Sequence, residues 1–256
     1  MSTLLFLHAH PDDESTLTGG TMALAGERGH RVIWVCCTDG SQGTPDGAVD
    51  ESVASMRRRE AGVSASILGV DQLVFLDHQD SGMTGWESNN DPDAFINADV
   101  DEVGRTIADL LDAEDVDVLI GYDWHGNYGH PDHIMVHKVM HSAADQAARR
   151  PRVLQATMNR DAMRAAMQGV PEGEGLDPDA PADDGNPFGT PEAELAWRID
   201  VSEVVERKRE ALAAHSSQVD ARQLLAMPEE YFAMAFRYEH YIEDGREQPM
   251  LTAWPF

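Results

Sequence analysis

The sequence predicts an α/β fold, a mostly parallel sheet flanked by helices with a smaller C-terminal strand and helix portion. Three observations carry this. Strand-sized apolar runs alternate with longer helical patterns through residues 1–150. The segments between successive runs are long enough for right-handed crossovers, which parallel pairing requires. Beyond an acidic, Pro/Gly-rich stretch at 169–191, the strand and helix patterns resume over 192–256.

Taken in order, Leu4–His8 is expected as a strand, Gly19–Gly29 as a short helix and Arg31–Thr38 as a β-branched, aromatic strand. Ser52–Leu68 has helical spacing and stops before Gly69, a good C-cap residue. Leu73–Leu76 reads as a strand, and Val100–Leu111 as a helix with its apolar face at Val103, Ile107, Leu110 and Leu111. Val116–Gly121 is the next strand and Pro131–Arg150 a long helix. Past the acidic stretch, Leu195–Val201 is expected as a strand, Glu203–His215 as a helix and Phe236–Ile242 as a last strand. The stretch itself has no Lys or Arg and is expected to be a loop, either a surface insertion or a cover over a site. No linker divides the chain, so 1–256 is expected as a single domain.

Composition narrows the function. With 42% hydrophobic residues the chain can bury a sizeable core. Its 46 acidic residues outnumber 19 basic ones, for a net charge of −27, and Lys138 and Lys208 are its only lysines. Such a surface repels phosphate backbones and anionic lipid, so nucleic-acid and membrane partners are not expected. The longest apolar runs, such as Leu4–Leu7 and Val32–Cys37, fall far short of the roughly 20 residues a membrane span needs. The start of the chain lacks the charged and apolar regions of a secretory signal. Cys36 and Cys37 are adjacent in an expected strand and would point to opposite faces, so they are not expected to bridge each other and do not form a metal-ligand pair of the CxxC kind. A reducing, cytoplasmic setting is expected, and the sequence leaves room for a homo-oligomer.

The chemistry is concentrated in two motifs, each just past a strand. His10-Pro11-Asp12-Asp13-Glu14 follows the first, and His130-Pro131-Asp132-His133 opens the long helix after Val116–Gly121. Open α/β sheets bind ligands beyond the carboxyl ends of their strands. Carboxylates this close repel one another unless a cation or hydrogen-bond donors offset them. Pro131 suits a first helical position, and His130 and His133, three apart, share a face that His137 and His141 continue. His10, Asp13 and His133 would form a two-histidine, one-carboxylate zinc site with one position left open. Asp12 diverges from Asp13 and would sit beside the open position as a general base. His130 would face the same cavity, donating a proton to a leaving amine or a hydrogen bond to an oxyanion. Taken singly, each motif has a plainer explanation, as helix caps or a solvated histidine face. Their joint placement favours the metal. The His-Glu-x-x-His arrangement of zincin proteases is absent.

These residues resemble the PIG-L-like (LmbE-like) family of zinc-dependent N-deacetylases. His8–Glu14 is similar to the family's first metal motif and Asn127–His133 to its second. Arg57-x-x-Glu60 ahead of Leu68-Gly69-Val70 agrees in placement, Asp80-Ser81-Gly82-Met83 resembles the mycothiol-pathway members, and His215-Ser216-Ser217-Gln218 is a looser match. The resemblance implies a Rossmann-like fold, zinc on His10, Asp13 and His133, and Asp12 as base. It also implies His130 as acid or electrostatic group, Asp132 as the neighbour that tunes His130, Tyr128 as an aid to carbonyl polarisation, and Arg57 and Asp80 as sugar-holding residues. The chain departs from the family in two places. Thr38-Asp39-Gly40-Ser41 lacks the acid of the usual Thr-x-Gly-Glu, and Ser15–Thr18 lacks the lysine of mycothiol S-conjugate amidases. The second departure favours a deacetylase acting on an N-acetylglucosaminyl-inositol conjugate, a small sugar amide, over such an amidase. A non-catalytic metal-binding protein would have no use for Asp12. A phosphoesterase fits poorly with so acidic a chain. Ferrous iron suits the same ligands nearly as well as zinc.

Overall fold

The computed structural model describes residues 1–45, 47, 51–168, 177–246 and 249–256. From the N-terminus, β1 (Thr3–His8) leads through a short α1 (Asp13–Leu17) into α2 (Gly19–Glu27) and β2 (Arg31–Thr38). The alternation continues with α3 (Val53–Leu68), β3 (Gln72–His78), α4 (Val100–Ala113), β4 (Val118–Tyr122) and α5 (Pro131–Gln146). Next come β5 (Arg152–Thr157) and α6 (Arg160–Ala166), then β6 (Trp197–Asp200), α7 (Val205–Ala214), α8 (Val219–Leu225) and α9 (Glu229–Ala235). β7 (Tyr238–Glu243) and the two-residue β8 (Leu251–Thr252) close the chain.

All eight strands share one sheet, ordered β3-β2-β1-β4-β5-β7-β6-β8. Pairing is parallel from β3 through β5, and β7 alone runs against its neighbours. The mostly parallel α/β sheet expected from the sequence is therefore present, and the C-terminal strands extend it. In β1, side chains alternate between faces. Leu4 and Phe6 pack with α2, α3 and α7 on one side, while Leu5 and Leu7 pack with α4 and α5 on the other. The central strands β1, β2 and β4 are almost entirely apolar because helices cover both faces.

Several elements escaped the sequence pattern. β5 carries Arg152 and Gln155 in a six-residue run, which blurs its apolar signal, yet Val153, Leu154 and Ala156 are buried between β4 and β7. Helices α6, α8 and α9 have seven residues each, too few to display a helical period. Helix α5 stops at Gln146, four residues earlier than expected. Gly69 does end α3, in the left-handed conformation at φ 75°.

This topology positions the two motifs. The chain leaves β1 for β2 on one side, while β4 joins β1 on the other, so the strand order reverses between β1 and β4. The loops after their carboxyl ends diverge there, leaving a crevice. The helix following the first motif is fixed from across the sheet. Glu239 on β7 accepts hydrogen bonds from Gly20 N and Thr21 N, each 2.8 Å, at the N-terminus of α2. Its charge is balanced by Lys208 of α7, and both side chains are buried. No helix among the described residues is long and apolar enough to cross a membrane.

Candidate active site

A cavity of about 280 Å³ lies where the loops after β1 and β4 meet, lined by His10, Asp12, Asp13, Arg57, Asp80, Tyr128 and His130 among others. Seven of the nine residues singled out from the sequence thus face one space. His133 and Asp132 lie immediately behind it, both 0% exposed.

Hydrogen bonds set the state of each histidine. His133 Nδ1 is 3.1 Å from Gly126 O, which can only accept, so Nδ1 carries the proton and Nε2 presents its lone pair. That Nε2 is buried and has no hydrogen-bond partner, although Asp13 Oδ1 lies 3.2 Å away. His10 Nε2 is 3.1 Å from Asp132 Oδ2, which places its proton there and turns the Nδ1 lone pair toward Asp13 Oδ2 at 3.4 Å. Two imidazole lone pairs thus flank one carboxylate, an arrangement that repels unless a proton or cation lies among them. Burial opposes a charge on His10, but Asp80, Asp13 and Asp132 raise its pKa well above the histidine range. Burial also opposes ionisation of Asp13, yet His133 and His10 hold it well below the carboxylate range. An ion taking the place of the extra His10 proton would meet two neutral imidazoles and a carboxylate, with a second carboxylate orienting one imidazole from behind, a donor set that fits a zinc-type ion. His10, His130 and His133 also have ligand atoms within 4.8 Å of one another, as do His10, Asp80, His130 and Asp132. His137 and His141 do not join the cluster. Their partners are Tyr122 O at 3.1 Å and Asp244 at 3.5 Å.

Local backbone explains the second motif's shape. Gly126 has φ 64°, and a Cβ there would lie 2.2 Å from the His133 Cβ, so only glycine lets the loop close over that ring. Tyr122 stacks on His133 with ring centroids 4.4 Å apart. His130 Nδ1 accepts from Asp132 N at 3.1 Å, which leaves Nε2 as the protonated nitrogen. Burial, then His10 and His133, push the His130 pKa down to about 2, so the ring is neutral and a donor.

The Asp132 carboxylate makes no hydrogen bond to the His130 ring, although one of its oxygens lies within 4.8 Å of a His130 nitrogen. The carboxylate faces His10 and Ser81, accepting from Ser81 N at 2.9 Å and from Ser81 Oγ, and the hydrogen bond to His130 comes from the Asp132 backbone. The reason is helical. Asp132 sits in the first turn of α5, with its side chain directed back across the loops.

Asp12 has φ 108° and ψ −28°. Its Oδ2 accepts from Arg57 Nη2 at 2.8 Å, and Arg57 also donates to Pro11 O and, at 2.9 Å, to Gly40 O. Burial raises the Asp12 pKa, Arg57 draws it back, and Asp13 raises it again, so the net shift is upward. Asp80 Oδ1 accepts from Gly82 N at 2.8 Å and Oδ2 from Gln42 N at 3.1 Å. The outer wall of the cavity includes Met83, Trp86, Gln218 and Asp220. Met83 and Gln218 close the two looser motifs, whereas Trp86 and Asp220 lie just beyond them and were not singled out from the sequence.

Of the acidic stretch 169–191, residues 169–176 lie outside the described residues. The rest lines none of the cavity and packs behind the second motif instead. Asp183 N donates to Tyr128 O at 3.0 Å, Gly189 N donates to Asn127 O at 2.7 Å, and Phe188 stacks on Tyr128 with centroids 6.2 Å apart.

Residues 5–144 match the family described as PIG-L: GlcNAc-PI de-N-acetylase. A 1D-myo-inositol 2-acetamido-2-deoxy-alpha-D-glucopyranoside deacetylase from Acidothermus cellulolyticus is 34% identical over 98% of this chain and 94% of its own. This chain belongs to the PIG-L family. A second relative of the same description, from a Mycobacterium species, is 36% identical over 84% of this chain and 74% of its own. The family is one of deacetylases, so the chain is a hydrolase of N-acetyl amides. Among solved structures, N,N'-diacetylchitobiose deacetylase from Pyrococcus horikoshii aligns with a TM-score of 0.58 and 23% identity, over 94% of this chain and 83% of its own. The 4-carboxy-2-hydroxymuconate hydratase from Pseudomonas putida aligns at 0.61 and 18%, over 99% of this chain and 100% of its own. At such identities these two structures establish the shared fold alone.

Proposed function

We propose that this chain is a zinc-dependent deacetylase that releases acetate from a neutral N-acetylglucosaminyl conjugate of the inositol type. The observation that carries the proposal is the placement of Asp12 in the same cavity as the paired imidazole lone pairs of His10 and His133 around Asp13. The full-length likeness to relatives described as GlcNAc-inositol deacetylases supports the substrate. So does the charge of the cavity, where Asp12, Asp13, Asp80 and Asp220 outnumber Arg57. An anionic conjugate would be repelled there. The free, buried Cys36 and Cys37 suit a reducing compartment.

His10 through Nδ1, His133 through Nε2 and the Asp13 carboxylate would hold the ion. When bound, it supplies Lewis acidity toward the amide carbonyl and lowers the pKa of a coordinated water. Asp12, with one oxygen held by Arg57, takes the proton of the attacking water on the other and returns it to the departing nitrogen. Its raised pKa suits both transfers. His130, neutral and protonated on Nε2, and the Tyr128 hydroxyl are donors to the oxygen on which negative charge develops. Asp80, fixed by two backbone N–H groups, keeps lone pairs for a sugar hydroxyl. Arg57 reaches the sugar from the position in which it restrains Asp12.

The test is acetate release from N-acetylglucosaminyl-inositol by chain stripped of metal and then resupplied with zinc. Activity that is lost on stripping and restored by zinc is expected. An inactive zinc-loaded chain would refute the substrate, and equal activity with and without metal would refute the mechanism.

A further inference from the structure

Asp12 stands in a backbone conformation that residues with a side chain rarely adopt, at φ 108°. Such strain persists only where neighbours over-determine it. Arg57 restrains the carboxylate, and Glu14 restrains the backbone by accepting from Asp12 N through Oε2 at 2.9 Å. The other oxygen of Glu14, Oε1, accepts from His215 Nε2 at 2.8 Å and from Ser64 Oγ. Glu14, His215 and Ser64 are each 0% exposed, and His215 comes from the end of α7, 201 residues along the chain. A buried charged pair seldom adds stability over apolar packing of the same volume. Here it lies directly beneath a strained residue that lines the cavity.

We infer that Glu14 and His215, with Ser64, are positioning residues that hold Asp12 in its strained conformation, so that its carboxylate faces the cavity. This rests on Asp12 acting as the base. Glu14 needs donors on its far oxygen to keep the near one aimed at Asp12 N, and His215 and Ser64 are those donors. The C-terminal portion of the chain thereby contributes to the reaction without touching substrate.

The experiment compares kcat, KM and metal content of the zinc-loaded full chain with those of His215→Ala, Asp12→Ala and the double variant. In His215→Ala, kcat should fall about 30-fold, in the range expected for displacement of a catalytic group by a fraction of an ångström. KM and metal content should stay unchanged. The double variant should be no slower than Asp12→Ala alone, because His215 acts only through Asp12. His215→Gln, which keeps an N–H donor for Glu14, should recover most of the rate. An unchanged kcat in His215→Ala, a loss explained by missing metal, or losses that multiply in the double variant would overturn the inference. If His215→Ala does not fold, Ser64→Ala serves instead, with a kcat loss of about threefold that vanishes in the Asp12→Ala background. Full activity in Ser64→Ala would then overturn it. A near-normal rate in Asp12→Ala alone would instead refute the base assignment, so the two failures are distinguishable.

Discussion

The loop after β1 and the loop after β4 deliver their acids and imidazoles to one cavity, yet they are held by opposite means. The first is held by charge. Arg57 grips Asp12, and the His215–Glu14 pair grips the backbone beneath it. The second is held mostly through its backbone, with no ion pair to an arginine or lysine among the described residues. Asn127 N donates to Asp123 Oδ1 at 2.7 Å, Asn127 O accepts from Gly189 N, and Gly126 O fixes His133. The division follows from the task of each loop. A group that moves protons needs its pKa set by neighbouring charges, whereas a lone pair aimed at a metal needs only a fixed direction.

Three perturbations of the second loop test the contrast, from the largest expected effect to the smallest. Gly126→Ala should cost about 3 kcal/mol and weaken metal binding, because a Cβ at a positive φ would collide with His133. Urea unfolding and metal titration would check it, and wild-type values for both would remove the role given to Gly126.

His240 offers the next test, because it pairs across the sheet with Thr157, whose Oγ1 supports Asp123. Burial, then Arg198, lower the His240 pKa from 6.5 to about 4. The unfolded chain therefore takes up the proton first as pH falls below 6.5, and stability drops until about 4, where the folded form also protonates. The loss attributable to this group is on the order of 2 kcal/mol near pH 5. His240→Gln should flatten the decline of denaturation midpoint between neutral pH and that point. An identical decline in the variant would place the acid sensitivity elsewhere.

Phe188→Ala should have the smallest effect, a kcat lower by about threefold to tenfold through loss of the ring beside Tyr128. A Tyr128→Phe background should absorb most of that loss, and a full further decrease there would show that Phe188 acts on something else.

What the sequence revealed, and what it hid, follows the same contrast. Both His-Pro-Asp motifs were legible because local rules place them, strand end first and helix start next, with Pro131 at the first turn of α5. The sheet was legible through β4 because each strand there is an apolar run. β5 was not, since its burial depends on β4 and β7 as neighbours. Likewise the carboxylate of Asp132 reaches Ser81, 51 residues away, and no spacing rule anticipates that. His215 stood out only as part of a loose motif, because its partner Glu14 lies at the other end of the chain.

The most direct test of the central claim sets Asp12→Ala beside Asp13→Ala and measures zinc content and acetate release in both. Asp12→Ala should keep its zinc and lose about 10²–10⁴-fold in turnover, the usual range for a general base. Asp13→Ala should lose the zinc itself. Near-normal turnover in Asp12→Ala, or full zinc retention in Asp13→Ala, would contradict the account.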